Sequence, residues 1–328
     1  AETRGAGGAH FLAAVVAGYE MAVRVSISRL PDYKAHNYAT GHWGAPAGVA
    51  AAAKLLELDL PGFQHALGIA LAHGPFPPGG GFLRDSMIKE VIGWAGVVGC
   101  SAAFLAREGF AGPVAALDRA GRYDLAQLVA APGESYAIEK AYFKPYASCR
   151  WSHPPIDGVL QLADEHGLRL HEIQEIEVSG FRQLTMLDEY APTSTVAAQY
   201  SVPFAVALAL AYGGIGPQEL TEANLVNSEL LALARKVKLS VDPELDGLFP
   251  AQTAARIRIH SARGTFETLV EYPKGNPENP LSDAEMEAKF ARLTAEIVGE
   301  TRSRELREMI EHLDGLDDIR RMTKLLAV

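Results

Sequence analysis

One stretch of fifteen residues decides how this chain is interpreted: Phe143-Lys144-Pro145-Tyr146-Ala147-Ser148-Cys149-Arg150-Trp151-Ser152-His153-Pro154-Pro155-Ile156-Asp157. Pro145 fixes its own φ and favours an extended backbone at Lys144, so the first half is predicted to be a loop. Pro154 and Pro155 suit a first helical turn, so residues 156–163 are predicted to form a helix. Side chains at such a junction can converge on a small anion, because a helix N-terminus presents free N–H groups. The alternative is a solvated loop before a surface helix.

Upstream of this stretch the pattern is helical. Apolar residues recur at helical spacing over residues 8–25, and three further helices are predicted at residues 45–58, 61–74 and 86–107. Residues 74–81 are rich in Gly and Pro and are predicted to be a loop without a phosphate-binding pattern.

Downstream, strands and helices are mixed. Alternating polar and apolar residues predict strands at residues 173–178, 237–241, 255–260 and 265–272, the last two joined as a hairpin at Gly264. Helices are predicted at residues 202–212 and 221–234. Ser282 and Glu285 form a predicted capping box, after which amphipathic helix continues to residue 328. The predicted class is mostly α, with an α+β section inside the chain.

Composition excludes several classes of protein. The 328 residues are 48% hydrophobic and 21% charged, which is typical of a soluble globular protein. The net charge of −10 argues against a nucleic-acid partner, although a local basic pocket for an anionic substrate remains compatible with it. We find no run of about eighteen uncharged apolar residues, so no membrane span is predicted.

Cysteine and histidine usage bears on cofactors. The two cysteines, Cys100 and Cys149, fit a reducing cytoplasm and are too few to hold an ordinary iron–sulfur cluster. Cys100 lies in an apolar helical pattern and is predicted to be inert core. The ten histidines form no H-x-x-x-H or H-x-H pair. No metal and no cofactor are therefore predicted, and the chemistry is expected to rest on side chains.

Four motifs in a fixed order resemble the MmgE/PrpD family, which includes 2-methylcitrate dehydratase, cis-aconitate decarboxylase and iminodisuccinate epimerase. They are Lys-Pro-Tyr-x-x-Cys-Arg-x-x-His-Pro-x-x-Asp at residues 144–157, Gly-His-Trp-Gly-Ala-Pro-Ala-Gly at 41–48, Gly-Phe-Ala-Gly-Pro at 109–113 and Gly-Asn-Pro-Glu-Asn-Pro-Leu-Ser at 275–282. The resemblance implies a helical domain built from both chain ends, with an inserted α+β domain. We place the helical domain at residues 1–138 and 275–328 and the α+β domain at 139–274. Family members also carry a helical segment before the point that corresponds to Ala1.

Two candidate residues combine a local argument with the resemblance. His42 is predicted to lie at the start of a helix, whose N-terminal dipole favours the neutral imidazole that a base needs. The alternative is a histidine that packs beside Trp43. Lys144 can pair with a substrate carboxylate or, if its pKa is depressed, act as a general base; otherwise it is a solvated loop lysine. The resemblance favours the functional interpretation of both.

The same stretch supplies further candidates. Arg150 is a natural bidentate partner for a carboxylate, and His153 is a candidate acid or base. Asp157, at i+4 from His153, either orients that imidazole or forms a plain pair on the helix surface. Cys149 occupies a position where some family members have histidine, so it is either a catalytic group or a wall of the pocket.

Two residues are weaker substrate-binding candidates. Lys89 matches the family's Lys-x-x-His-x-Gly pattern only if one position is dropped, and its alternative is a solvent-facing lysine at a helix start. Tyr146 is an aromatic residue in a loop that is expected to line the pocket.

The resemblance implies abstraction of a proton next to a carboxylate of a di- or tricarboxylate. The leading prediction is a cofactor-independent lyase of the hydro-lyase type, similar to 2-methylcitrate dehydratase. The alternatives are an epimerase or isomerase resembling iminodisuccinate epimerase, or a catalytically incomplete family member. His42 is expected to meet Lys144, Cys149 or His153 at a cleft between the domains. Small-residue helices at residues 45–53 and 93–103 allow close packing and predict a homodimer. The predicted compartment is the cytoplasm, because the two cysteines fit a reducing environment.

Overall fold

The computed structural model describes residues 1–36, 40–74, 91–118, 121–130 and 133–327. Within them the chain is mostly α-helical, as predicted, with one four-stranded sheet. The helices are α1 (Gly8–Ile27), α2 (Pro31–His36), α3 (Thr40–Leu56), α4 (Leu60–His73), α5 (Ile92–Arg107), α6 (Leu125–Leu128), α7 (His153–His166), α8 (Arg182–Thr185), α9 (Thr195–Gln199), α10 (Val202–Tyr212), α11 (Glu222–Leu225), α12 (Ser228–Ala234), α13 (Pro243–Leu248), α14 (Asp283–Val298), α15 (Glu300–Glu311) and α16 (Arg320–Thr323). The strands are β1 (Ile173–Gly180), β2 (Val237–Val241), β3 (Ala255–Ser261) and β4 (Gly264–Val270).

The chain divides into two compact units. The first contains residues 1–141 and 290–328, and the second contains residues 142–289. The sequence places the limits of the α+β domain at residues 139 and 274. These limits stay a prediction.

The first unit packs α1, α3, α4 and α5 around a core of small residues. A Cβ atom built on Gly99 of α5 would lie 2.4 Å from the carbonyl oxygen of Ala45 in α3, so only glycine allows this approach. The apolar residues of α5 do not all face this core. Cys100 is exposed, so its prediction as core is wrong: the buried face of α5 is formed by Ala95, Gly99, Ala102, Ala103 and Ala106.

One described helix, α1, is long and apolar enough to cross a membrane by length and composition alone. It contains the Glu20–Arg24 ion pair, with the charged atoms 3.0 Å apart. A core helix of a soluble protein has the same length and composition. The absence of a membrane span therefore stays a prediction.

The second unit is built around the sheet, in the order β2-β1-β3-β4. β1 runs parallel to β2 and antiparallel to β3, and β3 and β4 form the predicted hairpin, with Gly264 at a positive φ of 130°. α7 packs against β3 and β4, and α10 contacts α7 and β2. The apolar side chains of α10 that were predicted from its sequence form the centre of this core.

Several predicted elements differ from the structure. The helix expected to continue from Ser282 to residue 328 is divided into α14, α15 and α16, and Gly299, with a positive φ of 85°, separates the first two. The helix expected at residues 221–234 is two helices, α11 and α12, because the Asn227 side chain accepts hydrogen bonds from the N–H groups of Glu229 and Leu230 and starts α12. The helix expected at 86–107 is described from Ile92 onward, and most of the loop expected at 74–81 lies outside the described residues. The predicted capping box is present: Ser282 N donates to Glu285 Oε2 at 2.7 Å, and Glu285 N donates to Ser282 Oγ at 3.3 Å.

Candidate active site

The junction between the Lys144 loop and α7 has the predicted local structure. Residues 141–149 form neither helix nor strand, and Lys144 is exposed there. A single 3₁₀ turn, Arg150–Ser152, leads into α7, whose first turn contains Pro154 and Pro155. α7 therefore begins at His153, three residues earlier than the sequence predicts, and this places His153 at the N-terminus of the helix.

His153 is completely buried at this helix start. Among the described residues, neither ring nitrogen makes a hydrogen bond of normal geometry, although the Ser148 backbone lies close enough to influence it. The Tyr146 ring packs edge-on against the imidazole, with the ring centroids 5.1 Å apart. Burial first, and then the charges of Arg150 and Lys144, lower the pKa of His153 to about 2. The imidazole is therefore neutral at physiological pH.

Arg150 supplies a buried positive charge next to His153. Its guanidinium lies over the Tyr142 ring, 4.6 Å from the centroid, and Nη2 donates to Asn276 Oδ1. Nη1 is buried and has no hydrogen-bond partner in the described part of the chain. Burial lowers the pKa of Arg150, but an arginine remains charged under all ordinary conditions. A buried cation with an unused donor is suited to an anion.

Asp157 does not orient His153, so both interpretations made from the sequence are wrong. Its Oδ1 accepts a 2.5 Å hydrogen bond from the Tyr146 hydroxyl, and its Oδ2 accepts a 2.6 Å bond from Lys274 N. The helical spacing to His153 is present, but these two donors compete successfully for the carboxylate. Burial raises the pKa of Asp157, whereas the hydrogen bonds from Tyr146 and Lys274 oppose this effect. Burial and the Asp157 charge also raise the pKa of Tyr146.

A cavity of about 410 Å³ opens beside the Tyr146–Asp157 pair. Its polar lining includes Lys274 and Glu285, whose charged atoms are 3.0 Å apart. Tyr146 therefore lines a cavity. Its role in substrate binding stays a prediction.

The turn that begins at Gly275 holds the Lys144 loop. Phe143 N donates to the Gly275 carbonyl at 2.9 Å, and Asn276 accepts from Arg150. Gly275 has a positive φ of 89°, and a Cβ atom there would lie 1.8 Å from the Phe143 carbonyl oxygen, so a side chain is excluded. The Gly-Asn-Pro motif was recognised only as a family likeness. Its contact with Arg150 through Asn276 has no local signal, because 126 residues separate the two.

Cys149 is half-buried and packs against the core of the second unit. Its backbone is tied on both sides: its N–H donates to the Gln199 carbonyl at 2.7 Å, and its carbonyl accepts from Ser152 Oγ at 2.7 Å. These bonds fix the backbone at the position where the loop passes into the 3₁₀ turn. Both roles predicted for the Cys149 thiol, a catalytic group or a wall of the pocket, stay predictions.

His42 lies in the first unit, near the start of α3 as predicted, and is buried. Its Nε2 lies 2.9 Å from the Tyr33 hydroxyl and 3.3 Å from the Tyr123 hydroxyl, so it does not merely pack beside Trp43. Burial first, and then the charges of Arg29 and Arg122, lower the pKa of His42 to about 4. The neutral imidazole was predicted, but its largest cause is burial rather than the helix dipole.

The candidates thus fall into two groups. Lys144, Tyr146, Cys149, Arg150 and His153 lie in the second unit, within one loop and helix start. His42 belongs to the first unit, where Tyr33, Tyr123, Arg29 and Arg122 were not recognised from the sequence because they lie in other segments. Lys89 lies outside the described residues. The expected meeting of His42 with the Lys144 loop stays a prediction.

Comparison with known proteins covers nearly the whole chain. The MmgE/PrpD N-terminal domain matches residues 1–130, and the MmgE/PrpD C-terminal domain matches residues 146–315, which confirms the resemblance found in the four motifs. A cis-aconitate decarboxylase from Aspergillus terreus is 28% identical over 312 residues, covering 87% of this chain and 63% of the relative. The cis-aconitate decarboxylase-like protein oryM from Aspergillus oryzae is 25% identical over 352 residues, covering 98% of this chain and 71% of the relative. The chain therefore spans less than two thirds of the length of the Aspergillus terreus protein.

Proposed function

The chain belongs to the MmgE/PrpD family, and we propose that it is a cofactor-independent lyase that removes a proton next to a carboxylate of a small di- or tricarboxylate. The curated relatives carry the name of a decarboxylase, which is a lyase, and this favours a lyase over the epimerase alternative.

One observation carries the proposal: Arg150 Nη1 and both ring nitrogens of His153 are buried and, among the described residues, make no hydrogen bond of normal geometry. Leaving such groups unsatisfied costs about 1–3 kcal/mol each, and more for a charged group. A substrate carboxylate would accept from Arg150 and from a neutral His153. The proposed site therefore gains its missing partners when substrate binds.

The proposed chemistry needs positive charge where the carbanion forms. Arg150 provides it from a buried position, and Lys144 provides it from the adjoining loop. His153 is neutral and serves as a hydrogen-bonding group, because its pKa of about 2 makes protonation at neutral pH unfavourable. His42 of the first unit, with a pKa of about 4, is unprotonated and able to accept a proton, and we propose it as a base whose Nε2 is held by the Tyr33 and Tyr123 hydroxyls.

Two reactions at this site are proposed for testing. Loss of hydroxide from the neighbouring carbon gives the dehydration that was the leading prediction, with 2-methylcitrate as the model substrate. Decarboxylation of cis-aconitate, which the names of the relatives favour, begins with a different bond: the bond to one carboxylate breaks, its electron pair shifts through the double bond, carbon dioxide leaves and the far alkene carbon takes up one proton.

The test is incubation of the purified protein with 2-methylcitrate, citrate or cis-aconitate in D₂O, followed by proton NMR. We expect loss of water or of carbon dioxide from one of the three, with deuterium in the product if carbon dioxide is lost, and deuterium in the remaining substrate if removal of its proton is reversible. Deuterium exchange with inversion and no loss of either would support the epimerase alternative. Absence of both product and exchange would contradict the proposed reaction and favour a catalytically incomplete family member.

Variants test the residues. Arg150→Gln and Lys144→Gln are each expected to reduce turnover about 100-fold, equivalent to about 2.7 kcal/mol of transition-state stabilisation. Lys238→Gln removes an exposed lysine of β2 in the same unit and is the matched control. His42→Gln is expected to cause a similar loss, because His42 is proposed as a base. Wild-type turnover in His42→Gln would remove His42 from the proposal, and wild-type turnover in Arg150→Gln would overturn it.

A further inference from the structure

The sheet of the second unit carries a set of metal-ligating side chains away from its core. Glu175 and Glu177 of β1 share one face because they are two residues apart, and Glu175 is paired across the strands with His260 of β3. The alternate residues of β1, Ile176 and Val178, are completely buried in the core on the other face. One ligand atom of each of the three side chains lies within 4.8 Å of the other two.

We propose that Glu175, Glu177 and His260 bind a divalent transition-metal ion of the Zn²⁺ class. His260 Nε2 is 3.1 Å from Glu177 Oε1. Two ligands of one tetrahedral zinc ion are about 3.3 Å apart, given metal–ligand distances of about 2.0–2.2 Å. His260 Nε2 is shielded from solvent, yet its contact with Glu177 lacks the geometry of a hydrogen bond, and it has no other partner in the described part of the chain. An ion between the nitrogen and the carboxylates accounts for this arrangement.

The outer contacts of the ligands support the assignment. His260 Nδ1 lies 2.9 Å from Thr265 Oγ1, and donation of the Nδ1 proton to this hydroxyl leaves the Nε2 lone pair directed at the carboxylates. Glu177 Oε2 accepts from Arg258 Nη1 at 2.9 Å, which orients the carboxylate while Oε1 faces His260. Metal-binding histidines and carboxylates in proteins are held by such outer hydrogen bonds.

Charge favours a cation at this position. Arg258 and Arg256 both contact Glu267 on β4, Arg256 also contacts Asp242, and Lys238 of β2 is paired with Glu177. Three cations therefore face the three carboxylates of Glu177, Glu267 and Asp242. Glu175 adds a further negative charge. The competing explanation is an ion-pair ladder across the strands, in which His260 pairs directly with Glu177.

The ligand types restrict the metal. Imidazole together with carboxylates suits zinc and its neighbours in the first transition series, whereas magnesium and calcium prefer oxygen ligands alone. The site lies across the sheet from α7, because His260 alternates with the core residues Ile257 and Ile259 and a Cβ atom on Gly158 of α7 would meet Ile257. The ion is therefore expected to stabilise the sheet and not to take part in the proposed reaction.

The test is equilibrium dialysis of the whole protein against Zn²⁺, with Mg²⁺ as the comparison ion. It is done in a Cys100→Ser background because an exposed thiol also binds zinc. We expect one zinc ion per chain that is lost, or bound at least tenfold more weakly, in Glu175→Gln and in His260→Gln. His171→Ala removes an exposed histidine of the same unit and is expected to retain the ion.

Thermal unfolding separates the two explanations. Zinc is expected to raise the melting temperature of the parent and of His171→Ala, but not of the two ligand variants. Circular dichroism without zinc shows whether each variant is folded, and two independent ligand variants guard against a folding defect in one of them. Equal zinc affinity in parent and ligand variants would overturn the proposal. So would a parent that binds no zinc, which would leave the ion-pair ladder as the explanation.

Discussion

At the scale of single residues, the neutral state of His153 links the proposed chemistry to stability. A neutral imidazole next to Arg150 and Lys144 adds no positive charge to a site that is already cationic, and it retains one donor and one acceptor for a substrate. The cost is sensitivity to acid. The folded protein resists protonation of this ring, whereas the unfolded chain does not.

This sensitivity gives the first prediction. The pKa of His153 is about 2 in the folded protein and about 6.5 in the unfolded chain, so its contribution is constant above pH 6.5 and destabilises the fold as the pH falls below it. Between pH 7 and pH 4.5 this residue is expected to reduce the free energy of unfolding by about 2–3 kcal/mol. Urea unfolding at several pH values should show a smaller pH dependence in His153→Gln. His171→Gln, at an exposed position, is the control. If His153→Gln and the parent show the same pH dependence, the pKa of His153 is the same in the folded and unfolded states.

Asp157 gives the second prediction. Its carboxylate joins Tyr146 of the loop to the backbone of Lys274, so Asp157→Ala leaves two donors without an acceptor. We expect a loss of about 1–3 kcal/mol in the free energy of unfolding by urea. Asp164→Ala removes an exposed carboxylate from the same helix and is expected to change it by less than about 0.5 kcal/mol. Equal effects of the two substitutions would contradict the role given to Asp157.

Residue roles could be predicted from the sequence only where the partners are near in the chain. Arg150 and His153 could be named as candidates because they belong to one loop-to-helix junction, and their roles stay a prediction. Asp157 was assigned to the wrong partner, because helical spacing shows that a contact with His153 is possible but not that Tyr146 and Lys274 compete for the carboxylate. Long-range partners such as Asn276, Tyr33 and Tyr123 had no local signal. The proximity of Glu175, Glu177 and His260 also had no local signal. Alternation shows which residues of one strand share a face, but it does not show which residues of two strands are paired.

At the scale of elements, α7 connects the site to the sheet. Its first residue is His153, and its sixth, Gly158, allows close approach to β3: a Cβ atom there would lie 2.5 Å from Ile257 Cδ1 and 2.7 Å from Cγ1. Gly158→Ala would gain up to about 1 kcal/mol in helix propensity, but overpacking costs about 1–3 kcal/mol.

We therefore expect Gly158→Ala to destabilise the protein and to disturb the position of His153. The measurement is urea unfolding together with turnover. Gly247→Ala is the matched control, because Gly247 is in an exposed helix of the same unit and a Cβ atom there meets nothing within 4 Å. A stabilised Gly158→Ala variant would mean that helix propensity outweighs the contact with Ile257.

Elements were predicted best where one physical signal dominated. Alternation located all four strands of the described sheet, and the apolar run of α10 was long enough to require a buried helix. The prediction for residues 221–234 failed because the apolar spacing continues across Asn227, whose side chain caps a new helix. An asparagine side chain can accept hydrogen bonds from nearby backbone N–H groups in place of the helical carbonyl groups. The spacing of apolar residues gives no sign of this capping.

At the scale of the whole molecule, the predicted homodimer requires apolar side chains that are exposed on each chain and can be buried against a second copy. The small residues at 45–53 were expected to contribute, but Ala45, Val49 and Ala53 are buried and the close approach of Gly48 and Gly99 occurs within the first unit. Part of the reasoning for the dimer is therefore wrong. The opposite face of α5 still supports it, because among the described residues five large apolar side chains of this helix are exposed: Ile92, Trp94, Val97, Phe104 and Leu105.

The last prediction follows from that face. Trp94, Val97 and Phe104 are spaced so that they lie along one side of α5, and Trp94 is 62% exposed. A second copy of the chain would bury this apolar side, and a charge in its middle would then have to be desolvated without a partner. We expect the protein to sediment as a dimer at micromolar concentration and Val97→Glu to sediment as a folded monomer. Val226→Glu places the same charge at an exposed position of the second unit and is expected to remain dimeric. A monomeric parent would contradict the homodimer itself, and a dimeric Val97→Glu would show that the chains associate through another surface.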